Sequence, residues 1–174
     1  MLPALDAQCV IDANSQFWEQ MLAMSLDPKP MPADFCEAAG HVLASVSLSG
    51  MWTGRIEVRL AAGLAQQAAA AMLMQPLSEV GEADTLDASK EIANMIAGVI
   101  KSSLPRPCAM TVPFSAVVEE GFSSPPSSDD ALIVVFSHAA GDLMVRVLEY
   151  ESMERTGSAQ ESPELCFLAE ACAA

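Results

Sequence analysis

The chain has 174 residues, a formal net charge of −15 and an apolar fraction of 52% that includes eleven methionines. That length supports one domain with a hydrophobic core and is short for two. The acidic balance excludes nucleic acid and anionic membrane surfaces as partners, because phosphate recognition needs clustered Lys and Arg; it favours a partner with a basic or cation-bearing site.

Residues 1–13 read as a flexible N-terminus, with neither the basic nor the apolar region of an export signal. Asn14 or Ser15 then serves as N-cap for an amphipathic helix over 16–25, with Phe17, Trp18, Met21 and Leu22 as its apolar stripe. Pro28, Pro30 and Pro32 turn residues 27–32 into a linker.

From His41 the period changes to two. Val42, Ala44, Val46 and Leu48 alternate with smaller or polar residues up to a turn at Ser49-Gly50. Over 52–60, Ile56, Val58 and Leu60 alternate with Arg55, Glu57 and Arg59, so the two strands predict a hairpin with one wet face. Residues 61–75 are alanine-rich and helical up to Pro76. They are also the most apolar run, but Gln66 and Gln67 interrupt it and it is too short to span a membrane.

A third helix follows, capped near Ser78 or Asp84 and running to about Ser103. Beyond it, 110–119 alternates as a strand in which Pro113 marks an edge or a bulge. Residues 121–130 form a Ser/Pro loop, and 131–138 and 143–150 form a hairpin around 139–142. Residues 151–174 make an acidic C-terminal extension with one short helix near 162–168. The domain proper is thus 14–150. Its hairpins predict a mainly antiparallel sheet with packed helices, an α/β sandwich of the α+β kind.

Chemistry is sparse elsewhere. The five cysteines are odd in number and form no C-x-x-C pair, which points to free thiols and a cytoplasmic location. His41 and His138 lack second ligands at metal-binding spacing. No phosphate loop, dinucleotide fingerprint or nucleophile elbow is present, so no cofactor is expected on this chain.

The exception is the third helix. At about 100° per residue, Ile92, Ile96 and Val99 fall on one side and are expected to face inward. Asp87, Glu91, Asn94 and Gly98 share another side, with high exposure expected for Glu91 and Asn94. Asn94 is one of only two asparagines, and Asn is a poor mid-helix residue. Gly98 costs its helix roughly 1 kcal/mol relative to Ala, which fits a position where another backbone must approach closely.

The row Asp87-x-x-x-Glu91-x-x-Asn94, continued to Gly98, resembles the signature helix of the CheC/CheX/FliY chemotaxis phosphatases. The likeness runs over about 14–150, and the single copy of the motif is most like CheX. It implies removal of the phosphoryl group from the aspartate of a CheY-like receiver domain. Asn94 would orient the attacking water and Glu91 would pair with the receiver's active-site lysine. Asp87 would have a positioning role in partner binding, shared with Gly98. Mg²⁺ would come with the receiver, and the single-motif members imply a homodimer joined at an edge strand such as 110–119. A non-catalytic receiver-binding or dimerisation module and a flagellar-switch component are the alternative functions.

Overall fold

The computed structural model describes residues 6–30, 40–118 and 131–150. Residues 1–5, the 121–130 loop and the whole C-terminal extension with its expected helix lie outside the described residues.

Strands β2 (His41–Gly50) and β3 (Gly54–Ala61) pair antiparallel, with Val46 opposite Ile56 and Val42 opposite Leu60. Strand β7 (Leu143–Glu149) takes the other side of β3, and β6 (Ala131–Ser137) pairs with β7. The register stacks the apolar positions in rows: Ala44, Val58, Val145 and Val134 in one, Val42, Leu60, Leu143 and Phe136 in the next. All eight belong to one hydrophobic core. Alternation therefore puts one apolar face on the sheet, and the helices cover that face.

Four features differ from the sequence reading. The first helix, α1 (Ala7–Leu22), opens nine residues earlier than expected, so 7–13 are helical rather than a flexible N-terminus. Asp6 is the cap, accepting the Cys9 N–H at 2.8 Å. Asn14 is buried inside the helix and its Nδ2 donates to the Val10 carbonyl at 2.8 Å. Val10 and Trp18 are fully buried, and Trp18 meets Phe17 edge to face at 5.9 Å.

The expected linker also contains a strand. β1 (Asp27–Lys29) pairs with β6 at the rim of the sheet, where Pro28 needs no ladder partner. Lys29 Nζ reaches Asp142 in the β6–β7 turn at 2.6 Å.

The expected wet face of the hairpin is buried at Glu57 and Arg59, with 5% and 2% exposure. β3 is a central strand, so these side chains have neighbours on both sides: Ser45 and Arg146 beside Glu57, Leu43 and Met144 beside Arg59. Glu57 lies between Arg55 at 3.7 Å and Arg146 at 3.6 Å, which makes its charge tolerable there.

Finally, the strand expected over 110–119 is two pieces, β4 (Cys108–Met110) and β5 (Phe114–Val118), both antiparallel to β2. Pro113 lies in the gap. Thr111 bridges it, donating its N–H to the Ser47 carbonyl at 2.9 Å and accepting the Ser47 N–H on Oγ1 at 3.1 Å. The sheet order is β1-β6-β7-β3-β2-β4, with β5 beside β4 along β2.

Loss of the Asp6 cap tests where α1 begins. Asp6→Ala is expected to cost about 1 kcal/mol of unfolding free energy. A urea midpoint equal to that of the parent chain would place the start of the helix further along.

Candidate functional site

Helix α2 (Ala62–Leu73) buries Leu64, Ala65, Ala68 and Ala69, and a 3-10 turn at Leu77–Glu79 leads to α3 (Glu82–Ser102). The cap of α3 is Gly81, between the two expected positions. Its N–H is taken by Asp84 Oδ2 at 3.0 Å, and its carbonyl accepts both the Thr85 N–H and the Thr85 hydroxyl. Glu82 and Asp84 in the first turn and Lys101 in the last suit the helix dipole.

The buried side of α3 is wide. Ile92, Ile96 and Ile100 are fully buried, and Ala88, Ala93 and Ala97 let the sheet and α2 come close. Ser89 turns its hydroxyl back to the Thr85 carbonyl at 2.7 Å, so its polar atom is satisfied within the helix. From the sheet rim, the Ser115 hydroxyl of β5 donates to the Leu86 carbonyl at 2.9 Å. Val99, expected inward, is 43% exposed, and Ile100 takes the inward place. The contact with α1, β2 and α2 is centred on the Ile92–Ile96–Ile100 line, which leaves Val99 at its margin.

Asp87, Glu91, Asn94 and Gly98 form one stripe of about 16 Å along α3. Asp87, Glu91 and Gly98 are exposed and Asn94 is half-buried, less open than expected. Asp87 is held by Lys90 one turn on. Among the described residues, no hydrogen bond or ion pair engages the Glu91 carboxylate or the Asn94 amide. The row thus presents one uncompensated negative charge and one neutral amide on adjacent turns.

Gly98 differs from the glycines of the strands and their connections. A Cβ on Gly54 would lie 2.2 Å from the Leu148 carbonyl oxygen, one on Gly63 would lie 2.7 Å from that of Ala140, and Gly50 and Gly141 have positive φ. Those four are required by the fold. A Cβ on Gly98 would meet nothing within 4 Å. Among the described residues, neither packing nor backbone conformation asks for glycine there.

The sequence reading missed a feature beside the row. Met21, placed in the core stripe of α1, is 60% exposed. It lines a groove between α1 and α3 together with Val99 and Gly98. Two apolar residues expected in the core therefore face the same opening. The signal was that both sit at the margin of their stripes, a weak one.

Among the described residues no group of three His, Cys, Asp or Glu side chains is placed to hold a metal ion, and no helix is long and apolar enough to cross a membrane. The row offers two carboxylates and an amide. Its chemistry is to hydrogen-bond and to pair with what another molecule brings.

Solved structures share this architecture. Chemotaxis protein CheX from Vibrio vulnificus matches with a TM-score of 0.68 and 17% identity, over 86% of this chain and 100% of that one. CheX from Desulfovibrio desulfuricans matches at 0.67 and 20%, over 83% and 98%. A chain of the CheX–CheY–BeF3–Mg²⁺ complex from Borrelia burgdorferi matches at 0.64 and 22%, over 85% and 99%. At such identities the likeness carries the fold. No curated protein sequence matches the chain. The family model for chemotaxis phosphatase CheX matches residues 42–137, more than half of the 174 residues, and includes β2 from Val42 on, β3, the whole of α3 and β6. The curled antiparallel sheet with its three helices and the family match agree, and the chain belongs to the CheX family of chemotaxis phosphatases.

Proposed function

We propose that this chain hydrolyses the phosphoaspartate of a CheY-like receiver domain, with Glu91 and Asn94 as the residues it contributes. The observation that carries the reading is the pair itself: a carboxylate and an amide, uncommitted among the described residues, on the outer side of a helix whose Asp87–Gly98 row resembles the family's signature and which lies within the matched residues 42–137. Glu91 pairs with a lysine of the receiver, a charge-assisted contact that sets the register of the two proteins. Asn94 enters the receiver's active site, where its amide accepts from the attacking water and donates to a phosphoryl oxygen. The water oxygen bonds to phosphorus, the bond from phosphorus to the aspartyl oxygen breaks, the aspartate leaves as carboxylate, and the water's protons depart with the inorganic phosphate. Mg²⁺ held by the receiver neutralises phosphoryl charge; this chain supplies positioning. A receiver partner places the work in the cytoplasm.

Asp87, tied to Lys90, supports the contact from the next turn. Gly98 lets the receiver's backbone come close to α3. The edge strand β5, which among the described residues pairs only with β2, is the proposed joint of a homodimer.

The two motif residues separate by role in a phosphorylated-receiver assay. Asn94→Ala should lower kcat on the order of 100-fold, the scale of one lost catalytic donor, and leave binding to a BeF3-loaded receiver nearly unchanged. Glu91→Gln should raise KM more than it lowers kcat. Both should melt within a few degrees of the parent: Glu91 is exposed, where substitutions stay within about 0.5 kcal/mol, and at half-buried Asn94 alanine is the better helix former. Lost binding without a specific loss of turnover in Asn94→Ala would leave a receiver-binding module and remove the phosphatase.

Gly98→Leu should gain about 1 kcal/mol of helix propensity, raising Tm by about 2–4 °C, while it weakens receiver binding. Unchanged binding would show that the glycine serves no approach. Sedimentation at tens of micromolar should give the dimer mass; a monomer would refute the β5 joint.

A further inference from the structure

The groove between α1 and α3 has a volume of about 490 Å³ and is walled by Met21, Met95, Gly98 and Val99, with Gln20 and Ser102 at its rim. Among the described residues no charged side chain lines it, in a chain whose net charge is −15. Met21 and Val99 leave 60% and 43% of their surface open there. Its position matters as much as its character. Gly98 belongs both to the groove and to the Asp87–Glu91–Asn94 row. Along α3, Gly98 is about 6 Å and Ser102 about 12 Å from Asn94. A body that reaches Asn94 and passes over the bare Cα of Gly98 arrives at the groove without crossing a side chain of the row.

We propose that this groove seats an exposed apolar side chain of the same receiver domain whose phosphoaspartate meets Asn94. It is a second, uncharged contact that adds affinity and holds the receiver against rotation about the Glu91–lysine pair. The inference rests on the assignment of the row to a receiver. Continuity selects this occupant. A second copy of the chain seated in the groove would lie over Gly98 and cover the row. The missing charge selects the chemistry: an ionic group would be desolvated there with no opposite charge among the lining residues, whose polar members Gln16, Gln20 and Ser102 are neutral. The two methionine side chains are unbranched and adaptable, which suits an aliphatic or aromatic guest. The expected division of labour is sharp: the groove acts before the chemical step, on association, while Asn94 acts within it.

The test uses the full chain with a receiver carrying BeF3⁻ for binding and a phosphorylated receiver for turnover. The variants are Met21→Gln, Val99→Gln and the double change, with Met74→Gln, at a site 92% exposed and outside the groove, as control. The double variant should raise both Kd and KM by about tenfold or more, the scale of apolar side chains losing a dry contact. Its kcat should stay within about twofold of the parent, and the control should change nothing. Unchanged Kd in the double variant, with Asn94→Ala still losing turnover, overturns the groove contact and leaves the function of the row standing. Normal turnover in Asn94→Ala overturns the row's function and the groove proposal with it. A double variant that binds the receiver normally but loses self-association in sedimentation assigns the groove to a second copy instead, against the proposal.

Discussion

The burial of Ile92, Ile96 and Ile100 against the sheet and the neighbouring helices fixes the rotation of α3 about its own axis. One residue of rotation is about 100°, so no small adjustment is available. Turning the row inward would expose three isoleucines, at about 1.5–3 kcal/mol each, and would bury the Glu91 carboxylate besides. That sum is comparable to the whole stability of a small domain. The small residues Ala88, Ala93 and Ala97 sharpen the constraint, because they allow close contact on that flank. What the outer stripe presents is a consequence of what the inner stripe must bury.

The sheet was legible because alternation is local. Val42, Ala44, Val46 and Leu48, and Ile56, Val58 and Leu60, all reach the core face. Alternation says which face is apolar; it says nothing about how many strands lie alongside. Glu57 and Arg59 read as solvated for that reason, and the placement of β3 between β2 and β7 buried them. The β1 strand was hidden by its prolines, which forbid a central strand and permit a rim. The start of α1 could have been found. Asp6 caps as well as Asn14 or Ser15 does, and Val10 extends the apolar stripe upstream from Phe17 by two turns.

The row Asp87, Glu91, Asn94, Gly98 was legible for the same reason as the sheet: helical periodicity is set by the helix itself. The groove was not. Whether Met21 and Val99 are covered depends on the separation of α1 from α3, and no spacing within either segment reports that. Both were assigned to the core because they are apolar and periodic, and both lie where the two helices fail to close over them. Errors of this kind collect at the margins of apolar stripes, where interaction surfaces also lie.

On the proposed chemistry, the choice of side chain at each place in the row follows from charge. Lys90 compensates Asp87, so Glu91 is the row's one free negative charge and is matched to one cation, the receiver's lysine. Asn94 has to stand beside a phosphoryl group that is itself anionic. A carboxylate there, about 4 Å from one phosphoryl charge at an effective dielectric near 20, would meet a repulsion of about 4 kcal/mol. That is nearly a thousandfold in rate, more than the gain expected from one positioned donor. An amide keeps the same reach and both hydrogen-bonding functions without that cost. A neutral residue at 94 and a charged one at 91 are therefore not interchangeable, although they sit on adjacent turns of one helix face.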